Sequence, residues 1–281
     1  MPAVGWTRNS GSNEADGSMK ILLLADNWVG LRVTRHLRDL GEDVVGLYLH
    51  PDDRQNLGLE IAEASGLPPS RIRVAGAEWS KEQLLTVRDF APDLVLVVFW
   101  SYLLPPEFLR IPTLGCVNFH LSYLPHNRGK KPNVWPILDG SPAGVSIHMI
   151  DEGIDSGPIV ARREVEVEPT DTAETLYRRL LVEFVDLFEQ TWPDIRDGQI
   201  DTIAQELGEG TFHLDSEMAD YEVIELDRTY LASDLLNLLR ARTFRPHPAA
   251  YFLHEGRRVY VRVNLEVAND EERIVEEGGS V

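Results

Sequence analysis

An α/β fold with a mostly parallel sheet is predicted by two observations. Short apolar runs alternate with segments of helical spacing through the first half of the chain, and the strongest run, 94–99 (LVLVVF), is apolar throughout. Strands joined through helices pair in parallel, and such sheets are covered on both faces, so their strands lack a polar side. Taken in order, 20–25 (KILLLA) and 43–49 (DVVGLYL) read as buried strands, and 29–40 between them has amphipathic helix spacing. A second helix is expected over 56–65, a third strand over 71–75 (RIRVA) and a helix over 81–90, ahead of 94–99. Next come a short strand at 115–120 (GCVNFH), a helix over 133–138 with Pro132 in its first turn, and a strand at 145–150 (VSIHMI). Residues 159–167 (IVARREVEV) alternate as a half-exposed strand, and Asp171 or Thr172 caps a long helix running toward Trp192.

The chain has 281 residues, 43% of them hydrophobic, enough for one large core with a small appendage. A formal net charge of −19 disfavours nucleic acid as the main ligand, because gripping many phosphates draws on clustered Lys and Arg. Cys116 is the single cysteine, and no apolar run approaches the roughly 18 residues of a membrane span. A soluble, cytoplasmic protein without a membrane partner is therefore expected. Residues 1–19 are rich in Gly, Ser and Asn, lack the apolar centre of a secretory signal, and read as a disordered leader. Residues 267–281 read as an acidic tail, with five acidic residues against one Arg from position 269 onward.

The chemistry concentrates in Asn118-Phe119-His120 and, 35 residues on, Asp155 in the turn 151–157 (DEGIDSG). An amide, an imidazole and a carboxylate are what acyl transfer to an amine needs: one group for the oxyanion, one for the proton, and one to orient the others. Alternation along a strand puts Asn118 and His120 on one side. Gly153 and Gly157 let the turn fold close to a bound molecule and aim Asp155 back toward the strands, although Asp between glycines is most often a simple turn former. No serine or cysteine nucleophile is evident beside them, which favours direct attack by the amine. Cys116 falls in a buried strand and is expected to serve packing.

Two loops flank these residues. After the run 94–99, Phe99, Trp100, Ser101, Tyr102, Leu103 and Leu104 form an aromatic and apolar loop closed by two prolines, suited either to wall a flat heterocycle or to cover the sheet end. Ligands of parallel sheets bind beyond the carboxyl ends of the strands, where this loop lies. Residues 121–133 (LSYLPHNRGKKPN) bring Arg128, Lys130 and Lys131 together ahead of a helix start, an arrangement open to an anion or to solvent. His126, His148, His213, His247 and His254 do not form a metal-ligand spacing, so no metal is expected.

The ordered set over 115–157, an Asn-x-His strand, a Leu-Pro-x-x-Arg-Gly loop and an Asp in a Gly-rich turn, resembles the folate-dependent formyltransferases, and the resemblance spans about 20–199. It implies a Rossmann-like domain over 20–204, here expected to be followed by a small C-terminal α+β subdomain over 205–266. It implies 10-formyltetrahydrofolate as the formyl donor, with Asn118, His120 and Asp155 as catalytic residues and the pterin against 99–104 near Asp151 and Asp155. Within the family, the C-terminal part is most similar to the nucleotide-linked amino-sugar N-formyltransferases. It has Gly210-Thr211-Phe212-His213, a helix near 231–242 carrying Leu-Arg-Ala-x-Thr-Phe at its end, and a hairpin of 251–253 and 259–263. Asn127, Arg128, Lys130 and Asn133 then become candidates for the acceptor, although the loop reads Leu-Pro-His-Asn-Arg-Gly where many relatives have Leu-Pro-x-Tyr-Arg-Gly. The segment 205–266 counts eleven acidic residues against seven arginines, a poor surface for tRNA. The alternatives are a methionyl-tRNA formyltransferase, a formyltransferase for another small amine, a formyltetrahydrofolate hydrolase, and a non-catalytic nucleotide-sugar binding protein. The terminal hairpin suggests a homodimer by analogy with the sugar enzymes.

Overall fold

Continuous burial of the apolar runs sets the centre of the molecule. The structure, a computed structural model, describes residues 18–268 together with the two-residue strand β1 (Gly5–Trp6). The first half of the chain forms β2 (Ile21–Ala25), α1 (Asn27–Asp39), β3 (Val44–Leu49), α2 (Gly58–Ser65), β4 (Ile72–Val74), α3 (Lys81–Phe90) and β5 (Leu94–Val98). There follow α4 (Pro106–Leu109), β6 (Gly115–His120), β7 (Arg128–Gly129), α5 (Trp135–Asp139), β8 (Gly144–Met149) and β9 (Ile159–Glu164). The remainder is α6 (Ala173–Asp197), β10 (Ile200–Asp201), β11 (Phe212–His213), α7 (Ala232–Ala241) and the hairpin strands β12 (Ala250–His254) and β13 (Arg257–Val261).

Seven strands make one sheet in the order β4-β3-β2-β5-β6-β8-β9. The pairings from β4 to β6 are parallel, and β8 and β9 extend the sheet antiparallel. After β2 the chain builds outward through β3 and β4, then returns to place β5 on the other side of β2. The carboxyl ends of β2 and β5 therefore diverge into a crevice at this switch point.

Side chains alternate across the sheet and fill two layers. Leu23, Leu96, Val117 and Phe119 meet α1, α2 and α6 on one face. Leu22, Leu24, Val95, Val97 and Cys116 meet Val87 and Phe90 of α3 and Phe108 of α4 on the other. The long helix α6 starts where Thr172 and Thr175 form a reciprocal capping box, so Thr172 is the cap; Asp171 instead binds Arg179. Phe184 of α6 stacks on Phe119 with ring centroids 5.0 Å apart, which fixes the back of β6 against the helix.

Several expectations shift. Met19, read as the end of a disordered leader, is 2% exposed and packs in the core. Gly5–Trp6, also inside that segment, pairs antiparallel with Ile200–Asp201 because two backbones can share a ladder whatever their composition. Residues 1–4 and 7–17 of the leader and residues 269–281 of the expected acidic tail lie outside the described residues. The helix expected over 133–138 is the single short α5, starting at Trp135, because Asn133 donates from Nδ2 to the Ala173 carbonyl instead of entering the helix. In the C-terminal part, β12 and β13 join through Glu255 and Gly256, both at positive φ (50° and 75°), the pattern of a two-residue hairpin turn. No helix among the described residues is long and apolar enough to cross a membrane.

Phe184 fills the layer behind the Asn-x-His strand, so Phe184→Ala should lower unfolding free energy by about 3–5 kcal/mol in urea or guanidinium titrations at neutral pH. An effect below about 1 kcal/mol would contradict the packing described for α6.

Candidate active site

Asn118 and His120 share a face of β6, and the turn after β8 carries Asp155 back to both. Asp155 has φ 50°, and the turn closes tightly around it: a Cβ on Gly157 would lie 2.0 Å from the Met149 carbonyl oxygen. Asp151 Oδ1 accepts from the Gly153 N–H at 3.0 Å and the Ser156 hydroxyl at 2.7 Å, so the exposed Asp151 organises the turn. From the other side Gln205 Nε2 donates to the carbonyls of Asp155 and Gly157 at 2.9 and 2.6 Å.

The Asp155 carboxylate takes bonds on both oxygens. Oδ2 accepts from the Gly129 N–H at 2.9 Å and lies 3.5 Å from His120 Nδ1. Oδ1 accepts from Asn118 Nδ2 at 3.3 Å and lies 3.6 Å from His148 Nε2. Burial by itself would raise the Asp155 carboxyl, but His120, His148 and the Gly129 N–H outweigh it and hold the group well below the usual carboxylate range. The group is therefore ionised at neutral pH.

Carbonyl partners fix the protons on the two imidazoles, because a carbonyl oxygen only accepts. His120 Nε2 is 3.1 Å from the Asn127 carbonyl oxygen and so carries a hydrogen, leaving Nδ1 as the atom that faces Asp155. His148 Nδ1 is 2.8 Å from the Met149 carbonyl oxygen and carries the hydrogen there, so its Nε2 accepts from Asn118 Nδ2 at 3.1 Å. The Asn118 amide is oriented by the same logic, since turning it over would set its oxygen against the carboxylate. Burial pushes His120 below the ordinary histidine value, against the opposing pull of Asp155 and the Asn127 carbonyl. Burial therefore favours the neutral ring at neutral pH.

The remaining predicted residues divide. Trp100 stacks on His50 at 4.0 Å between centroids and meets Tyr102 edge-on at 6.1 Å, and Ser101 N–H donates to His50 Nε2 at 3.3 Å. Trp100 and Leu104 pack on one sheet face, whereas Phe99, at φ 58°, turns its ring to Phe184 on the other; Leu103 is 72% exposed. The expected six-residue wall is therefore split by the backbone reversal at Phe99. Trp100 Nε1 and His50 Nδ1 are buried and make no hydrogen bond with the protein, so this aromatic group fits a flat heterocycle bearing polar edge atoms.

Two expected acceptor contacts are corrected. Asn127 is fully buried, with its side chain bonded to Thr211, Ser141 and Pro142. Asn133 is buried on the Ala173 carbonyl. Neither side chain is open to a ligand. Arg128 lies over the Phe212 ring at 5.8 Å with its Nε buried and unbonded, Lys130 is exposed, and Lys131 is 3.9 Å from Asp215. The five-residue α5 is too short to supply the helix-end anion site that the sequence suggested. His148, Gln205 and Thr211 were missed. The β6–β8 register pairs Asn118 with His148, a signal that reading the two strands together would have provided. Cys116, on the same face of β6 as Asn118 and His120 but packed into the layer under α3 and α4, has its thiol pushed up to about 12 by burial and supplies no nucleophile.

Both shifts in this cluster are depressions, so both groups contribute stability above their unfolded values that is lost on acidification. His120 acts as pH falls below about 6.5, and Asp155 below about 4. Between pH 7.5 and 5.5 the melting temperature of the wild type should fall more than that of His120→Gln. Parallel curves in differential scanning fluorimetry would contradict the burial of a neutral ring.

The formyl transferase family matches residues 19–189, and the N-formyltransferase dimerization C-terminal domain matches residues 217–267. The chain is 28% identical over 251 residues to a methionyl-tRNA formyltransferase of Geotalea uraniireducens, covering 85% of this chain and 77% of that protein. Among solved structures, a 4-N formyltransferase from Francisella tularensis superposes with a TM-score of 0.76 at 26% identity, over 89% of this chain and 99% of that one. A formyltransferase from Anoxybacillus kamchatkensis, in complex with UDP-4,6-dideoxy-4-formamido-L-AltNAc and tetrahydrofolate, matches with a TM-score of 0.55 at 29% identity, over 72% and 89% of the two chains. With 19–189 matched from before the first strand of the large sheet into its longest helix, the chain belongs to the formyl transferase family.

Proposed function

We propose that this folate-dependent formyltransferase moves a formyl group from 10-formyltetrahydrofolate to the primary amine of a nucleotide-linked amino sugar by direct attack, with Asn118, His120 and Asp155 as its catalytic residues. The observation that carries the reading is the convergence of the Asp155 carboxylate, His120 Nδ1 and the Asn118 amide, with no serine or cysteine side chain bonded to any of the three among the described residues.

The roles follow from the open atoms. His120 Nδ1 takes the proton that the amine sheds as it attacks, and Asp155 at 3.5 Å favours the imidazolium so formed. At that separation the pair is an ion contact without a short hydrogen bond, so Nδ1–H remains free to donate to the developing oxyanion and then to the leaving nitrogen. Asn118 exchanges the longer of its two bonds, the 3.3 Å bond to Asp155, for the formyl oxygen. Each such donor contributes about 3 kcal/mol to lowering the barrier. The Trp100 and His50 group and Leu104 supply the surface for the pterin, beside the turn that carries Asp151 and Asp155. We assign the acceptor diphosphate to Arg128 and Lys130, on the loop that also bonds Asp155.

An amino-sugar acceptor is supported by the match to the N-formyltransferase C-terminal domain and by likeness to the Francisella 4-N enzyme and the Anoxybacillus complex. The acidic balance of 205–266 weighs against tRNA. A second reading, methionyl-tRNA formylation, is favoured by the names of sequence relatives such as the Geotalea protein. Purified protein should add one formyl unit to a nucleotide-linked 4-amino or 3-amino sugar, read by mass spectrometry, without free formate. Formylation of charged initiator tRNA alone would give the second reading, formate release alone a hydrolase, and no turnover a binding protein. Asp155→Asn should lower kcat by about 100- to 10,000-fold with the fold intact by circular dichroism. A loss under about fivefold would remove Asp155 from the chemistry.

The hairpin also bears on assembly. Tyr251, Leu253 and Tyr260 share one face of β12–β13, with Leu253 58% and Tyr260 44% exposed, and a two-stranded hairpin needs further packing to be stable in water. We infer a homodimer through this face, in keeping with the dimerization domain matched there. Sedimentation velocity should show a dimer that Leu253→Glu shifts toward monomer; a wild-type monomer at micromolar concentration would contradict it.

A further inference from the structure

The Gly-Thr-Phe-His segment, distant in sequence from the catalytic strand, is strapped along the loop that touches both His120 and Asp155. Strand β11 pairs in parallel with β7, so Phe212 lies beside Arg128 and His213 beside Gly129. Arg128 N–H donates to the Thr211 carbonyl at 3.1 Å, and Lys130 N–H to the His213 carbonyl at 3.0 Å. The approach tolerates only glycine at two points: a Cβ on Gly210 would lie 2.1 Å from the Pro125 carbonyl oxygen, and one on Gly129 would lie 2.4 Å from that of His213.

Within this strap the Thr211 hydroxyl has a separate task. It accepts from the Asn127 N–H at 2.8 Å and donates to Asn127 Oδ1 at 3.0 Å. Asn127 Nδ2 donates to Ser141 Oγ at 2.9 Å, which fixes the residue from the opposite side. Asn127 is fully buried at φ 57°, and its backbone carbonyl is the group that meets His120 Nε2. Two residues on, Gly129 N–H bonds Asp155. One loop thus sets one contact on each member of the pair, and Thr211 locks the residue whose carbonyl decides where the imidazole proton sits.

We propose that Thr211 is a positioning residue for formyl transfer: its hydroxyl clamps Asn127 so that the Asn127 carbonyl keeps His120 in the Nε2–H form, with Nδ1 presented toward Asp155 and the acceptor amine. The proposal rests on the reading of His120 as the group that handles the proton. It assigns the C-terminal segment a part in the chemistry of the N-terminal domain, beyond any part in assembly.

Thr211→Val keeps the side-chain shape and the backbone strap while removing the hydroxyl, and Thr211→Ser restores it. The valine variant should lose about 10- to 100-fold in kcat while KM for donor and acceptor stays within about threefold, and serine should recover most of the turnover. Long-range nitrogen–proton spectra of the histidine rings should show His120 as Nε2–H in the wild type and serine variant, and as a tautomer mixture with valine. A purely structural threonine predicts a lower melting temperature for valine with kcat and tautomer unchanged; that result overturns the proposal. An Nδ1–H signal for His120 in the wild type overturns it as well, whether or not Thr211→Val folds. A wild type that formylates no amine would instead count against the proposed function, and the tautomer spectra would still decide the role of Thr211.

Discussion

A buried, ionised carboxylate must be surrounded by donors, and that requirement at Asp155 organises the site. Its donors are the Gly129 N–H, from the loop after β6, and Asn118 Nδ2 of β6, while the rings of His120 of β6 and His148 of β8 stand against it at 3.5 and 3.6 Å. Removing one would leave charge in a low-dielectric environment, an effect that costs several kcal/mol when it is not relieved by protonation. The tight turn over 151–157, the left-handed conformation of Asp155 and the two bonds from Gln205 all maintain that one placement. Where the carboxylate sits then dictates the orientation of the Asn118 amide and makes Nδ1 of His120 the atom at which a proton is best received.

The sheet explains why such a cluster can exist at this edge. Asn118 and His120 lie toward the carboxyl end of the last parallel strand, and the antiparallel β8 beside it returns the chain past them, so His148 and the turn with Asp155 come from the adjacent strand. Behind β6, Phe119 points into the layer formed by Phe184 and Phe188, which packs this edge of the sheet against α6. Trp100 and His50 come from the loops after β5 and β3 and stack on each other at the carboxyl ends of those strands. In the proposed reaction by direct attack, the polar edge is assigned charge and proton and the aromatic loops the carrier.

Much of the fold was legible because it depends on local signals. The strand 115–120 and the helix 81–90 were read with the bounds they have in the structure; Ser80 and Gln83 cap that helix reciprocally. Alternation placed Asn118 and His120 on one face, and the structure brings both to Asp155. What escaped depends on register and on contacts across long separations. His148 joins the cluster only because it stands opposite Asn118, and Thr211 reaches Asn127 from 84 positions away. The loop 121–133 shows the limit most clearly: sequence offers Asn127, Arg128, Lys130 and Asn133 as equals, but the fold buries both asparagines and uses them to build the loop. Phe99 similarly reads as part of one aromatic wall, and a positive φ sends it to the opposite face.

The account makes a spatial claim about where the formyl group must lie. A crystal structure of the protein with a stable formylated folate tests it most directly. The expected result places the formyl oxygen about 3 Å from Asn118 Nδ2 and within hydrogen-bond reach of His120 Nδ1, with the pterin beside Trp100. A formyl group bound away from both atoms, with His120 and Asp155 facing empty solvent, would contradict it.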